Sequence, residues 1–227
     1  MNWMQVEAYL ERDDRCVVPL GSTEQHAYIS LATDSILAER VACEAAEPLG
    51  VPVFPVLAYG VTPYFMGYPG TVTLSLATYE RVLIEILASV RRHGFRRILI
   101  VNGHGGNSPA RPGTEAWADG RDGVRLLWHD WWKAPETRAA IDAIDGDASH
   151  ASWMETFPWT RVPGVALPPG HKEPVSPAGR DELSLTRLRE LMGDGSFGGD
   201  YERSDEETAR VWRTAVTETR ARLDEGW

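Results

Sequence analysis

The sequence predicts an α/β fold in which helices cover both faces of a mostly parallel β-sheet. Short apolar runs alternate with longer helical stretches over the 227 residues, and the two best-defined runs each end in a polar segment that contains glycine. Such alternation is typical of βαβ units, in which a helix joins two parallel strands. A chain of this length fits one domain, so we expect residues 1–227 to form a single domain.

The first half of the chain carries five predicted elements. They are a buried strand at 16–20, a helix at 34–47, a short run at 51–57, a half-buried strand at 71–74 and a helix at 78–93. The two prolines in the third element cannot donate to a ladder, so this run is expected at a sheet edge. The last helix is the clearest, because its apolar residues recur at three- and four-residue steps and Gly94 follows it.

The second half begins with the most apolar strand, at residues 97–101, and another strand is predicted at 124–128. Less regular segments follow: a strand at 162–167, a long surface loop over 163–179, and helices at 181–192 and 205–223. In parallel α/β sheets, ligands bind beyond the carboxyl ends of the strands. Polar motifs follow the first strand and the strand at 97–101, which makes that edge of the sheet the expected site.

The charge balance excludes some classes of function. There are 33 acidic and 23 basic residues and a formal net charge of −10, so the basic footprint of nucleic-acid binders is missing. The same balance argues against binding to anionic membranes and favours a small neutral or cationic substrate. No run reaches the ~18 apolar residues of a membrane span. Residues 1–15 lack the apolar core of a signal peptide and the two cysteines suit a reducing compartment, so we expect a cytoplasmic protein.

A first cluster of metal-binding side chains follows the strand at 16–20. Glu24 and His26 are two residues apart, so an extended segment would point both side chains to one side. Asp34 lies at the start of the predicted helix, where its carboxylate could turn into the same cleft or simply cap the helix. Carboxylate and imidazole donors of this kind suit zinc, manganese or iron.

Two further histidines lie in motifs of the second half. His104 follows the strand at 97–101, and neighbouring glycines let the backbone approach a ligand closely. A tight strand-to-helix turn and a phosphate-binding loop are the alternatives there, although the Lys-Ser/Thr of a P-loop is missing. His150 and Glu155 lie five residues apart, and a histidine near a metal-bound water can act as a general acid or base.

Together these motifs resemble the creatininase (creatinine amidohydrolase) family. The resemblance is carried by Gly-Ser-Thr-Glu-Gln-His at 21–26 with Thr-Asp at 33–34, Tyr-Pro-Gly-Thr at 68–71, Asn-Gly-His-Gly-Gly-Asn at 102–107, the segment 150–156, and more weakly Gly-Asp-Gly-Ser at 193–196. These segments fall in the family's order and at similar spacing. The resemblance implies a three-layer α/β/α sandwich, a two-metal site, a small-molecule substrate and a hexameric assembly.

The resemblance also implies a role for each motif residue. Glu24 and His104 would hold one divalent ion, and His26 would hold the other. Asp34 would bridge both ions. His150 would be the residue that transfers a proton.

The resemblance also implies which residues contact the substrate. Thr62, Gly105 and Trp131 fall where the family contacts its substrate. This chain departs from the family at Ala27, where glycine is common, and at residues 28–30, where Tyr-Ile-Ser replaces a polar, proline-containing segment. These changes alter the pocket wall and argue against creatinine itself as the substrate.

A third departure concerns the ligands of the second ion. Creatininases proper carry a ligating glutamate two residues after the second histidine of the pattern, and here that position is Gly106. Glu155 is the candidate replacement, as in relatives with the same glycine-rich turn.

The resulting prediction is a metal-dependent hydrolase of a small cyclic or amide substrate. Two ions lower the pKa of a shared water from ~15.7 toward ~7, the hydroxide attacks a carbonyl, and His150 transfers a proton. One alternative is a C–C bond hydrolase that opens a cyclic keto-inositol in inositol catabolism, since the residues at 24–28 are similar to those of 3-dehydro-scyllo-inosose hydrolases. The other alternative is a non-catalytic metal-binding protein, which could dispense with His150.

Overall fold

The computed structural model describes residues 1–175 and 183–227. Its α-helices and strands are, in chain order, α1 (Trp3–Leu10), β1 (Arg15–Leu20), α2 (Thr33–Ala46), α3 (Leu76–Arg92), β2 (Arg97–Asn102), α4 (Arg111–Asp119), β3 (Arg125–Asp130), α5 (Pro135–Asp142), β4 (His171–Lys172), α6 (Leu185–Met192), β5 (Gly199–Asp200) and α7 (Asp205–Glu225). Within these described ranges, no helix is both long enough and apolar enough to cross a bilayer.

The central sheet consists of β1, β2 and β3, which lie side by side in that order and are all parallel. The register aligns Leu20 with Asn102 and Asn102 with Asp130, so the three strands end at the same edge. The run at 51–57 lies along the free edge of β1 and pairs with it only through single bridges, one of them between Leu57 and Leu20. Its prolines prevent a continuous ladder, which explains this partial pairing.

Two layers of helices cover the sheet. On one face α3 and α4 pack through Tyr79, Leu83 and Trp117 against strand residues of even number in β1 and β2. On the other face α2 and α7 pack through Leu37 and Trp212 against strand residues of odd number in β1 and β2. Because successive strand residues point to opposite faces, continuous apolar strands bury side chains on both sides. The three-layer α/β/α sandwich is confirmed.

Several less regular segments differ from the prediction. The strand predicted at 71–74 makes only single bridges, Thr23 with Val72 and Gly60 with Thr73. The run at 162–167 forms no strand, and the nearest pairing is one bridge to Arg161. The predicted loop at 163–179 contains the two-residue strand β4, which pairs with β5. Residues 176–182, where that loop ends and the predicted helix at 181–192 begins, lie outside the described residues.

Candidate metal centre

The carboxyl edge of the sheet gathers the candidate ligands from four separate segments. Glu24 and His26 lie in the turn after β1, Asp34 in the first turn of α2, and His104 directly after β2. Glu155 lies much later in the chain, in the short 3₁₀ turn Trp153–Glu155. All five side chains are buried. The structure therefore brings together the five residues that the sequence predicts as metal ligands.

Glu24, Asp34 and His104 form the first set of ligand atoms. Nδ1 of His104 lies 3.0 Å from Oδ2 of Asp34 and 3.3 Å from Oε1 of Glu24. One ligand atom from each of these residues lies within 4.8 Å of the other two. Two carboxylates and one imidazole at this spacing fit a single divalent ion.

His26, Asp34 and Glu155 form the second set. Nε2 of His26 lies 3.0 Å from Oδ1 of Asp34 and 3.7 Å from Oε2 of Glu155. The two sets use opposite oxygens of the Asp34 carboxylate, so this side chain can bridge two ions. Asp34 is not a helix cap, because the N-terminal cap of α2 is Ala32 and no side chain makes a capping hydrogen bond there.

Hydrogen bonds on the outer side of each ring fix how the two histidines face the centre. Nε2 of His104 lies 3.1 Å from the carbonyl of Val61, and Nδ1 of His26 lies 3.2 Å from the carbonyl of Glu24. A carbonyl oxygen only accepts, so each of these nitrogens donates its proton to the backbone, and the other nitrogen faces the carboxylates, where a metal ion could replace its proton. Oδ2 of Asp34 is buried and, among the described residues, makes no hydrogen bond of good geometry. Ring nitrogens that face carboxylates in this way fit a bound cation.

The electrostatics of the cluster also favour positive charge. Burial lowers the pKa of His26, but Asp34, Glu155 and the other nearby carboxylate outweigh burial and raise the pKa to about 10. Burial likewise opposes protonation of His104, yet the carboxylates beside it hold its pKa well above the ordinary value. Burial, with a contribution from Asp34, raises the pKa of Glu155 to about 7. Three carboxylates in a buried site thus lack compensating charge unless protons or metal ions supply it.

The geometry around Gly106 explains why a ligand cannot come from that position. A Cβ atom there would overlap the carbonyl of Val61 and the ring of His104. The Glu155 carboxylate instead reaches the centre beside His26, and its Oε2 accepts a hydrogen bond of 2.6 Å from the backbone N–H of Ala151. Ala151 has a positive φ of 58°, and residues 149–155 form a tight turn that ends in the 3₁₀ turn.

His150 lies beside the centre in an aromatic pocket. Its ring stacks on Phe65 at a centroid distance of 4.7 Å and contacts Phe197 at 4.9 Å. Nδ1 lies 3.7 Å from Oε1 of Glu24, on the side of the ligands. Burial and the positive charge of His26 hold the pKa of His150 well below its ordinary value, so the ring is neutral and can accept a proton.

Gln25 is a functional candidate that the sequence analysis did not single out. Nε2 of His150 lies 3.1 Å from the backbone carbonyl of Gln25 and 3.0 Å from its side-chain nitrogen. The carbonyl can accept from a protonated Nε2 and the amide can donate to an unprotonated one, so Gln25 suits either tautomer of the ring. The amide also donates to the carbonyl of Gly195, which anchors it. The only signal in the sequence that could have identified Gln25 is its position between two predicted ligands of the first motif.

A cavity of about 320 Å³ opens directly onto these residues. Gly105 lines it, as the sequence predicts for a substrate contact. Trp131 is only 1% exposed and packs in the core against α7, and the wall is formed by its neighbour Trp132. Thr62 is fully buried outside this lining. Two cationic side chains, Lys133 and Arg138, also line the cavity, and the sequence analysis had assigned neither of them a role.

Parts of this chain are similar in sequence to parts of several known enzymes. The chain is 40% identical over 141 residues to a mycofactocin precursor peptide peptidase of Mycolicibacterium smegmatis, which covers 59% of this chain and 53% of that protein. It is 34% identical over 116 residues to creatinine amidohydrolase of Pseudomonas putida (48% and 44%) and 33% identical over 107 residues to 3-dehydro-scyllo-inosose hydrolase of Thermotoga maritima (46% and 34%). These matches span about a third to a half of each relative.

Solved structures share the fold over nearly their whole length. A crystal structure of creatinine amidohydrolase superposes with a TM-score of 0.82 at 22% identity, covering 100% of this chain and 95% of that chain. A structure described as creatininase with Mn gives a TM-score of 0.78 at 21% identity, covering 100% and 96%. The sequence model of the family described as "Creatininase: Creatinine amidohydrolase" matches residues 1–223. The chain is therefore a member of the creatininase family.

Proposed function

We propose that this protein is a hydrolase that uses two divalent ions, zinc, manganese or iron, to cleave a C–N bond of a small amide. One observation carries the proposal: two sets of carboxylate and imidazole ligands share Asp34, and in each set the histidine nitrogen that faces the carboxylates is the one not bonded to a backbone carbonyl. Mixed nitrogen and oxygen donors suit these three metals, and residue type does not discriminate among them.

Each residue of the centre would have a distinct task. Two ions bound there would polarise a carbonyl and lower the pKa of a bound water toward about 7. Asp34 would fix the spacing of the two ions, while the carbonyls that bind the outer nitrogens of His26 and His104 keep both rings in place. Glu155 would complete the second set in place of a side chain at Gly106.

His150 is the proposed proton-transfer residue. Its neutral ring presents Nδ1 on the side of the ligands, where it could take a proton from the attacking water and deliver it to the leaving nitrogen. Gln25 would hold Nε2 through both stages, because it offers an acceptor and a donor to the same atom. Such a residue typically contributes about 10²–10⁴-fold in rate.

Amide cleavage is favoured over C–C cleavage by the relatives. The peptidase is 40% identical and the creatinine amidohydrolase 34% identical, and both names denote cleavage of C–N bonds. The inosose hydrolase is 33% identical over 46% of this chain, so one of these three relatives cleaves a C–C bond and two cleave C–N bonds. Opening of a keto-inositol, the alternative raised by the sequence, is therefore an outcome of the substrate test below rather than the proposal.

The test combines metal analysis with turnover. Purified protein loaded with zinc, manganese or iron is assayed against lactams, dipeptides and other small amides, and keto-inositols. Metal-dependent amide cleavage, reduced about 10²–10⁴-fold in a His150→Ala variant that keeps its ions, is the expected result. His93→Ala, at the exposed end of α3, is the matched control.

Other outcomes of this test are equally informative. Turnover of keto-inositols alone would replace the C–N reaction by the C–C reaction. Two bound ions without any turnover would favour a non-catalytic metal-binding protein. Failure to retain divalent ions would refute the proposal altogether. Hexameric assembly, implied by the family resemblance, stays a prediction that light scattering of the purified protein would test, and cytoplasmic location stays a prediction that fractionation of cells would test.

A further inference from the structure

Two cationic side chains line the cavity beside the candidate metal centre and have no part in the proposed proton transfer. They are Lys133, at the end of the turn that follows β3, and Arg138, in α5. The carboxylates that line the same cavity are Glu24, Asp34 and Glu155, and all of them belong to the ligand sets. The two cations therefore have no acidic neighbour in the cavity wall that is free to neutralise them.

The wall that carries these cations is firmly anchored. The carboxylate of Glu218 in α7 accepts hydrogen bonds from the backbone nitrogens of Glu136 and Thr137, at 3.0 and 2.9 Å. The hydroxyl of Thr137 donates to the same carboxylate at 2.8 Å. The start of α5, between Lys133 and Arg138, is thus fixed to the long C-terminal helix.

The two cations differ in how far they are already paired. Arg138 donates to Asp142 within α5 and also, from Nη1, to the carbonyl of Ala148 at 3.2 Å, close to the turn that carries His150. Nζ of Lys133 lies 5.3 Å from the ring centroid of Trp132, which lines the same wall. Lys133 makes no ion pair within 4.0 Å in the described part of the chain, so its charge is available to a ligand.

The charge count of the occupied site favours a bound anion. Two divalent ions would be balanced by three carboxylates and the attacking hydroxide, so Lys133 contributes the one uncompensated positive charge, while Asp142 offsets Arg138. The chain as a whole carries a formal charge of −10, which repels anions at long range. The cationic side chains of the cavity wall would overcome this repulsion at short range. The cavity therefore favours an anionic substrate, whereas the overall charge alone favours a neutral or cationic one.

We propose that Lys133 and Arg138 form a subsite for a carboxylate of the substrate, so that the substrates are small amides bearing a free carboxylate, such as acylated amino acids or short peptides. This inference rests on the proposed amide hydrolysis for the identity of the bond that is cleaved. A singly charged carboxylate fits better than a doubly charged phosphate group, because only one cation of the wall, Lys133, is uncompensated.

The test compares matched ligands that differ only in charge. Binding of N-acetyl amino acids and of the corresponding carboxamides to the zinc-loaded protein is measured by calorimetry, and hydrolysis of both is measured in parallel. We expect the carboxylates to bind at least about 10-fold more tightly than the carboxamides, as charge-assisted hydrogen bonds do, with a preference that declines as salt is added.

The metal ions could also bind a carboxylate. Variants of the wall residues therefore distinguish binding by the wall from binding by the ions. Lys133→Met should reduce the preference to less than about threefold, and Lys133→Arg should retain it. Arg138→Gln should reduce the preference to a smaller extent. The control Arg187→Gln removes the same charge from an exposed position on α6 and should leave the preference unchanged.

Each outcome bears on one proposal or the other. Equal binding of carboxylates and carboxamides, or a preference unchanged in Lys133→Met, would overturn the carboxylate subsite. Hydrolysis of both ligand types with equal efficiency would also overturn it while leaving amide hydrolysis intact. Binding that prefers carboxylates and depends on Lys133, without cleavage of any amide, would support the subsite and refute the hydrolase.

Discussion

Glu155 provides the sharpest test of how the second ion would be held. The change Glu155→Gln keeps the size and shape of the side chain and removes one negative charge. The amide oxygen can still accept the hydrogen bond that Ala151 donates to the carboxylate at 2.6 Å, so the turn should be preserved. What is lost is one of the two carboxylates that face Nε2 of His26.

The magnitude follows from the position of Glu155 in the centre. Its Oε2 lies 3.7 Å from Nε2 of His26, a spacing that leaves room for an ion between them, so its loss removes a direct ligand. Changes to groups that merely support a ligand already cost 10–100-fold in metal affinity. We therefore expect the affinity for the second ion to fall at least about 100-fold, or about 2.8 kcal/mol. The set of Glu24, Asp34 and His104 is untouched and should keep its ion.

The assay is metal stoichiometry at controlled free zinc, set with a chelator and read by elemental analysis. Wild-type protein should hold two ions per chain and Glu155→Gln one. Asp34→Asn, which affects both sets, should lose both ions. Glu190→Gln removes the same charge from the exposed surface of α6 and serves as the control. Two ions bound with unchanged affinity in Glu155→Gln would refute the assignment of this ligand.

Three further predictions concern stability and the support of His150. Ala27 has a positive φ of 47°, which penalises an L-residue more than glycine, so Ala27→Gly should raise the free energy of unfolding by about 0.5–1 kcal/mol in urea titrations; no gain would contradict the strain. Burial lowers the pKa of His129 to about 4, whereas the unfolded chain takes up this proton near pH 6.5. Stability should therefore fall as pH drops from 6.5 toward 4, by up to about 3 kcal/mol, and His129→Gln should lose this component of the pH dependence; identical slopes would argue against it. A Cβ at Gly195 would overlap the Gln25 amide, so Gly195→Ala should lower kcat at least about 10-fold with the metal content unchanged, and a normal kcat would remove Gln25 from the support of His150.

The sequence alone determined the layered fold and the elements that build it. Apolar steps of three and four residues predicted a helix at 78–93, and α3 spans Leu76–Arg92. The apolar runs at 16–20 and 97–101 became β1 and β2. Such patterns are readable because burial on one face of a helix, or on both faces of a strand, imposes a period on the chain itself.

The same logic explains why part of the candidate centre was predictable. Motifs that follow parallel strands must meet at one edge of the sheet, which brings His104 close to the turn after β1. Asp34 was ambiguous, because a carboxylate in a first helical turn suits either a cap or a ligand. Only the packing of α2 against the sheet shows that its carboxylate faces both histidines.

Other features were decided by tertiary structure. Glu155 reaches His26 because Ala151 adopts a left-handed conformation that folds its turn back on itself, and no local pattern announces such a conformation at an alanine. Adjacent tryptophans at the end of β3 look alike in sequence, yet the packing of α7 buries Trp131 and leaves Trp132 in the cavity wall. Side chains in turns take their directions from long-range contacts rather than from a repeating backbone geometry. For that reason the sequence determined which residues meet at the edge of the sheet, and the packing of distant segments decided which of them face the cavity.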